Sequence, residues 1–171
     1  ALGIRMGAAY FKIAAELRRQ DVAVFSSNYP LYGDLSRRVM QVLAGCAPAM
    51  EVYSIDECFL GLAGMRRDLT AYGLEIARRV RRWTGIPVSI GIAPTKTLAK
   101  LANRLAKQGR SPAGPVLEWS RLAAPEEVLA ALPVEDIWGI AGRWGAKLRA
   151  LGISNALALA EADPGRIRKL F

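Results

Sequence analysis

The sequence predicts an α+β fold, in which a mostly antiparallel sheet is covered by helices and is followed by a small all-helical unit. Strand and helix patterns alternate along the first two thirds of the chain, whereas only short helical patterns follow Pro125. The 171 residues are 52% hydrophobic and 23% charged, which is a globular composition. A chain of this length can bury a core without disulfide bonds.

The N-terminal part of the chain begins with short elements. Apolar residues at helical spacing predict a helix over 8–19, and the β-rich run that follows predicts a strand over 22–25. A longer helix is expected over 31–46 because its apolar residues share one face. This helix should end there, since the residue before Pro48 is disfavoured in the α conformation.

The central part of the chain is expected to form the sheet. Two strand patterns are separated only by Asp56 and Glu57, so a tight antiparallel hairpin is expected. Later segments alternate between helical and strand periodicity, and a last short strand should close the sheet. The elements expected are strands at 50–55 and 58–62, a helix at 66–83, a strand at 86–92, a helix at 95–108 and a strand at 116–117.

The C-terminal part of the chain reads as helices only. A loose, Gly- and Pro-rich stretch ends before it, and the boundary between the two units is expected near 120–124. The helices expected in this part are at 126–132, 142–151, 155–161 and 166–171.

The charge of the chain indicates a polyanionic partner. Lys and Arg number 24 against 15 Asp and Glu, which gives a net charge of +9 and a pI near 10.1. Nucleic acid is the first candidate and an anionic membrane surface the second. No stretch approaches 18 uninterrupted apolar residues, so no membrane-spanning helix is expected.

The residue types that are missing exclude several chemistries. The chain has no histidine, which excludes a Ser-His-Asp triad and a His-ligated zinc. Cys46 and Cys58 form no C-x-x-C pair, which argues against a zinc ribbon or a secreted disulfide framework and favours a reducing, cytoplasmic setting. Cys58 is expected to be buried on its strand rather than reactive. Because the chain does not begin with Met, a fragment is expected.

Two adjacent carboxylates, Asp56 and Glu57, lie between the first two strands. One interpretation is a solvated hairpin turn, in which Asp is common. The other is a divalent-metal site, because Mg²⁺ prefers hard oxygen ligands and carboxylates are the only strong ligands that this chain offers. A two-metal centre needs further carboxylates, so the pair is an incomplete cluster by itself.

A stripe of cations follows one face of the helix at 95–108. The opposite face is apolar, so an ordinary amphipathic helix with a solvated basic face is one interpretation. No acidic residue interrupts the sequence from 94 to 117, which favours a phosphate-facing surface. The stripe consists of Lys96, Lys100, Arg104 and Lys107.

A Gly-rich connection at 138–142 joins two short helical patterns and is followed by cations. Such a connection can direct backbone N–H groups at a phosphate. The alternative interpretation is a helix pair that serves packing alone.

Four segments in order resemble the motifs of Y-family translesion DNA polymerases. Residues 52–59 (VYSIDECF) resemble the catalytic palm motif, and 89–103 (SIGIAPTKTLAKLAN) resemble the palm helix that follows it. Residues 25–40 (FSSNYPLYGDLSRRVM) are closer to the UmuC branch than to the DinB branch. Residues 132–153 resemble the helix-hairpin-helix thumb. The resemblance implies the end of the fingers at 1–28, a polymerase palm at 29–120 and most of the thumb at 121–171.

The resemblance also implies roles for particular residues in error-prone, template-directed nucleotidyl transfer during the SOS response. Asp56 would bridge two Mg²⁺ ions, and Glu57 would hold the ion near the primer 3′-hydroxyl. Lys107 would contact the triphosphate of the incoming dNTP. Lys96 and Lys100 would lie nearby in phosphate-facing or structural roles.

The implied role of the thumb hairpin is to grip the DNA backbone. The family pattern is Gly-hydrophobic-Gly, and Ala141 stands at its third position with Gly142 after it. If that position requires a positive φ, Ala141 fits poorly. The residues expected to contact DNA are Gly139, Ile140, Ala141, Gly142, Arg143 and Lys147.

The partners that the resemblance implies are primer-template DNA, dNTP, a UmuD-type accessory subunit and a sliding clamp, in the bacterial cytoplasm and with no membrane. It also implies that the first metal carboxylate lies upstream of Ala1, so we expect this chain alone to be inactive. A non-catalytic DNA-binding relic or a partner-binding module is the alternative. A nucleotide cyclase also uses paired carboxylates at a hairpin, but it has no use for a helix-hairpin-helix unit.

Overall fold

The computed structural model describes residues 2–5 and 7–169, and it confirms the α+β class. Helices cover two short strand pairs in the first part of the chain, and short helices alone make up the last part. The elements are α1 (Tyr10–Arg19), α2 (Tyr29–Ala44), β1 (Ala49–Val52), β2 (Cys58–Gly61), α3 (Leu69–Thr84), β3 (Ile90–Ile92), α4 (Lys96–Lys107), β4 (Val116–Glu118), α5 (Pro125–Ala130), α6 (Gly142–Ala150), α7 (Ala156–Glu161) and α8 (Pro164–Arg168), with 3₁₀ turns at Trp119–Arg121 and Val134–Asp136.

The three long helices begin where side chains cap them. The side-chain oxygens of Asn28, Asp68 and Thr95 accept hydrogen bonds from backbone N–H groups in the first turns of α2, α3 and α4, at 3.2, 3.0 and 3.3 Å. Each bond satisfies a donor that the helix itself leaves unpaired. These helices lie within a few residues of the bounds predicted from periodicity.

The strands pair differently from the prediction of one mostly antiparallel sheet. β1 and β2 form an antiparallel pair with Val52 opposite Cys58. β3 and β4 form a separate parallel pair with Ile90 opposite Val116. α4 lies between β3 and β4 in the chain, and a helical crossover of this kind returns the chain in the same direction. The strand at 116–117 is confirmed, but it does not join the hairpin.

Several predicted strands are shorter than expected or missing. The strand predicted at 50–55, for example, is Ala49–Val52. Residues 22–25 form no strand, and Phe25 is 86% exposed. The Val22 N–H bonds instead to the Leu17 carbonyl at the end of α1, so this segment has no strand neighbour to satisfy its backbone. The strand predicted at 86–92 is only Ile90–Ile92, since Pro87 offers no N–H to a ladder.

The helical part after residue 120 follows the predicted order. The last helix predicted, at 166–171, corresponds to α8, and Leu170 and Phe171 lie outside the described residues. A core cluster of its own, formed by Val134, Leu148 and Ile153, lies in this part of the chain. No helix among residues 2–5 and 7–169 is long and apolar enough to cross a bilayer.

A glycine brings α4 into direct contact with β3. A Cβ atom on Gly91 would lie 2.1 Å from the Ala99 carbonyl oxygen and 2.2 Å from the Asn103 backbone nitrogen, so only glycine fits there. The Asn103 side chain donates to the Ser89 carbonyl at 2.5 Å. This close packing fixes the position of the basic stripe relative to the strands.

Candidate active site

The two adjacent carboxylates lie in a loop of five residues, 53–57, which joins β1 to β2 and is longer than the predicted two-residue turn. We call it the carboxylate loop. The N–H groups of Tyr53 and Ser54 both donate to the Glu57 carbonyl at 3.0 Å, which closes the loop. Asp56 is exposed, and its Oδ1 accepts from the Ser54 hydroxyl at 2.6 Å. Both carboxylates are therefore held on one closed turn.

The basic stripe of α4 packs against this loop through an ion pair. Lys100 Nζ lies 2.7 Å from Glu57 Oε2, and the two side chains are only 24% and 33% exposed. A partly buried pair of this kind is less screened by solvent than a surface pair. It brings one predicted metal ligand and one predicted phosphate-facing lysine together.

Other cations of the stripe also have acidic partners from distant parts of the chain. Lys96 pairs with Glu51 at 2.5 Å, and Arg104 pairs with Asp136 at 2.8 Å. The absence of acidic residues between 94 and 117 concerns only neighbours along the sequence, and the structure adds acidic partners from elsewhere in the chain. Lys107 is exposed, and the described part of the chain offers it no carboxylate within ion-pair distance.

An aromatic cluster next to Lys100 was not found from the sequence. Trp138 lies against Tyr53 and Phe59, with ring centroids 5.3 and 5.6 Å away. Its indole Nε1 donates to the Tyr53 hydroxyl at 3.2 Å. Lys100 Nζ lies 4.9 Å from the Tyr53 centroid and 5.1 Å from the Trp138 centroid. The only signal in the sequence was the tryptophan that begins the Gly-rich connection.

A cavity of about 650 Å³ opens between α4 and the helical part of the chain. Glu57, Lys100 and Lys107 all line it, whereas Asp56 and Lys96 do not. Its opposite wall is formed by residues between 129 and 160, and most of its surface is apolar. With Arg104, which also lines it, four of the residues singled out from the sequence therefore face one space.

The Gly-rich connection forms a turn before α6. Gly139 has φ +91°, which only glycine adopts readily. Ala141 has φ −99° and ψ 173°, which is extended backbone, so the concern about this alanine does not apply. No side chain caps α6 at Ala141, and its first N–H groups point away from the helix. Arg143 and Lys147, both exposed, lie on the same helix.

The donors at the carboxylate loop suit a hard divalent cation. Asp56 and Glu57 supply carboxylate oxygens, which Mg²⁺ prefers. Across residues 2–5 and 7–169, no group of three or more His, Cys, Asp or Glu side chains comes together as a metal site. The carboxylate loop thus offers two adjacent carboxylates to such a cation. Burial raises the pKa of the neighbouring Cys58 thiol, which keeps it protonated and supports a structural role for it.

Comparison with known proteins places this chain in a family. The model of the impB/mucB/samB family matches residues 1–104. The chain is 48% identical to protein UmuC of Salmonella typhimurium over 99% of its length, and 34% identical to DNA polymerase IV 2 of Mesorhizobium japonicum over 100%. It spans 41% and 40% of those two proteins.

The fold is also that of solved polymerase structures. A post-insertion binary complex of Dbh DNA polymerase superposes with a TM-score of 0.73 and 25% identity, over 98% of this chain and 48% of that one. The match extends beyond the first 104 residues into the helical part. From its sequence and its fold, this chain belongs to the impB/mucB/samB family.

Proposed function

We propose that this chain forms the catalytic part of an error-prone DNA polymerase of the translesion type, which extends a primer along damaged template DNA. One observation carries the proposal: Glu57, Lys100 and Trp138 meet at a single place. This contact brings the carboxylate loop, the basic helix and the start of the Gly-rich turn together. A template-directed polymerase needs these three functions, namely metal binding, phosphate neutralisation and a grip on DNA, side by side.

The division of labour follows the family to which the chain belongs. We propose that residues 1–28 are the end of the fingers, 29–120 the palm and 121–171 most of the thumb. The core cluster around Val134 in the proposed thumb is separate from the two clusters whose buried residues lie in the proposed palm, which supports two units. Leu122 and Val128 of the proposed thumb nevertheless pack against the second of these clusters.

The residues of this chain would act by binding and positioning. Asp56 and Glu57 would hold Mg²⁺, which supplies charge neutralisation at the attacking and leaving oxygens of an in-line displacement. Lys107 would neutralise the triphosphate of the dNTP, and its lack of a carboxylate partner in the described part of the chain leaves its charge available. Lys96 and Lys100, paired to acids, would orient those acids and offset their charge.

The thumb turn would hold the DNA backbone without reading sequence. The N–H groups of Gly142 and Arg143 at the start of α6 suit a phosphate, since the positive end of the helix dipole lies there. The contacts would come from Gly139, Ile140, Ala141, Gly142, Arg143 and Lys147. Binding through phosphates alone gives the tolerance for altered bases that synthesis across lesions needs.

The remaining partners follow from the same proposal. Because the described residues bring together only two metal-binding carboxylates, we propose that further ligands come from the rest of the protein and that this chain alone is inactive. A UmuD-type accessory subunit and a sliding clamp are the expected protein partners. Work on chromosomal DNA would place the protein in the bacterial cytoplasm.

Primer extension tests the proposal. The complete protein that contains this chain is incubated with Mg²⁺, dNTPs, the expected accessory proteins and a primer-template carrying an abasic site. Incorporation opposite the lesion, lost in Asp56→Ala, is the expected result. Salt-sensitive DNA binding without incorporation under these conditions would favour a non-catalytic DNA-binding relic instead.

A further inference from the structure

We propose that Trp138 is a positioning residue, which couples the grip of the thumb turn on DNA to cation binding at Glu57. The inference rests on the proposed function, because it takes Glu57 as a metal ligand and the turn at 139–142 as a DNA contact. It adds a connection between the two sites that runs through Tyr53 and Lys100.

Trp138 joins two parts of the chain that are far apart in sequence. Its indole Nε1 donates to the Tyr53 hydroxyl at 3.2 Å across 85 residues. The two rings meet edge to face, with centroids 5.3 Å apart and planes at 81°. This is a favourable geometry for an aromatic pair. Tyr53 is the first residue of the carboxylate loop, so the indole holds that loop directly.

Lys100 connects the aromatic pair to the carboxylate. Its ammonium lies within 4.9 Å of the Tyr53 centroid and 5.1 Å of the Trp138 centroid, and also 2.7 Å from Glu57 Oε2. Cation–π attraction and the charged hydrogen bond therefore act on the same atom. A cation that binds Glu57 competes with this ammonium for the carboxylate. The two rings then determine the position that the displaced ammonium takes.

The position of Trp138 is set by the turn that follows it. Gly139 comes directly after it with φ +91°, and the Ile140 N–H closes the turn on the Ile137 carbonyl at 2.9 Å. DNA that fixes this turn also fixes the indole. Because coupling between two binding sites is reciprocal, DNA at the turn changes the cation affinity of Glu57, and the cation changes the DNA affinity by the same factor.

The test measures DNA affinity in the complete protein, with no dNTP and no turnover. The dissociation constant of a labelled primer-template is determined by fluorescence anisotropy with Mg²⁺ and with chelator, at constant ionic strength. The coupling is measured as the larger of these two dissociation constants divided by the smaller. In Glu57→Gln, any remaining effect of Mg²⁺ on DNA affinity arises at sites other than Glu57.

The variants separate coupling from general loss of an aromatic residue. We expect the wild-type ratio to exceed that of Glu57→Gln by about fivefold or more. The ratio for Trp138→Leu should fall to that of Glu57→Gln. The ratio for Trp138→Phe should lie between that value and the wild-type ratio. Trp83→Leu, which removes an indole that is 67% exposed on α3, should keep the wild-type ratio.

Two results would overturn the inference: a wild-type ratio equal to that of Glu57→Gln, or a Trp138→Leu ratio equal to wild type. Should Trp138→Leu fail to fold, Tyr53→Phe replaces it, since it removes only the hydroxyl that accepts from the indole, and an unchanged ratio in that variant would also overturn the inference. Primer extension is measured separately. If DNA binding and Mg²⁺ binding are coupled but no primer is extended, the proposed function is contradicted, and the inference about Trp138 still holds.

Discussion

The Lys100 ammonium lies 2.7 Å from the Glu57 carboxylate, although 43 residues separate them in sequence. The pair attaches the basic helix α4 to the carboxylate loop. Two more cations of the same stripe, Lys96 and Arg104, have carboxylate partners of their own. In the described part of the chain this leaves Lys107 as the cation of the stripe without such a partner, and its charge is the one available for a phosphate.

Lys107→Gln should therefore raise the KM for dNTP by roughly tenfold, with a smaller effect on kcat. The reason is the loss of a charge-assisted contact to the triphosphate, which contributes about 1.5–3 kcal/mol in proteins and less at an exposed side chain. Steady-state single-nucleotide incorporation on the complete protein measures both constants. Lys12→Gln, on α1 and away from the cavity, is the control and should change neither. An unchanged KM in Lys107→Gln would contradict the assignment.

Gly91→Ala should destabilise the fold by about 2–4 kcal/mol. The added methyl would lie 2.1 Å from the Ala99 carbonyl oxygen, so α4 must move away from β3. Gly33→Ala is the matched control, because a Cβ there meets nothing within 4 Å inside helix α2, and it should stabilise by about 0.5–1 kcal/mol. Urea unfolding measures both. If the two substitutions changed the free energy of unfolding equally, a side chain at residue 91 would not obstruct the packing of α4 against β3.

Gly139→Ala should weaken both stability and DNA binding, because a φ of +91° costs an L-residue about 1–2 kcal/mol. Ala141→Gly should have little effect on either, since Ala141 is already in extended backbone and glycine is accepted at a helix N-cap. Thermal unfolding and DNA anisotropy on the two variants check this. A gain in DNA affinity from Ala141→Gly would show instead that DNA binding is stronger with glycine at this position, as in the family pattern.

The pH dependence of stability should carry a contribution from Asp68. The Ala71 N–H at 3.0 Å, followed by Arg121, holds the pKa of this carboxyl below its ordinary value of 3.8. A lowered pKa means that its stabilisation is present above pH 3.8 and is lost as the pH falls through the folded-state pKa.

Asp68→Asn keeps an oxygen that caps α3 but cannot titrate. The difference in unfolding free energy between wild type and this variant should therefore shrink between pH 6 and pH 2, roughly across the titration of a carboxyl group. Urea unfolding at several pH values measures the difference. A difference in unfolding free energy that stays constant over this pH range would contradict the contribution assigned to the titration of Asp68.

The helices were predictable from the sequence because their signals are local. Apolar periodicity lies within the segment that it organises, whereas the cap at Asp68 was not identified, and the helix predicted at 66–83 begins at Leu69. Strand pairing depends on distant partners, so the sequence did not show that β3 and β4 pair in parallel or that residues 22–25 have no neighbour.

The same distinction applies to the candidate site. The adjacent carboxylates and the cation stripe are visible as sequence patterns. The partner of Lys100 lies 43 residues away, and the contact of Trp138 with Tyr53 spans 85 residues. Neither contact has a local signal, so the sequence showed only that the stripe has no acidic neighbours along the chain, and it did not reveal the contacts of Trp138 with Tyr53 and Lys100.

The most direct test of the polymerase proposal is the rate of single-nucleotide incorporation by Asp56→Asn in the complete protein. We predict a rate below about one thousandth of wild type, with DNA affinity within about twofold, since the variant removes the proposed cation ligand on the loop and leaves the proposed DNA contacts in place. Asp34→Asn, which changes a half-buried acid on α2 that pairs with Arg37 and Arg38, should keep the wild-type rate. Incorporation by Asp56→Asn at the wild-type rate would contradict the account.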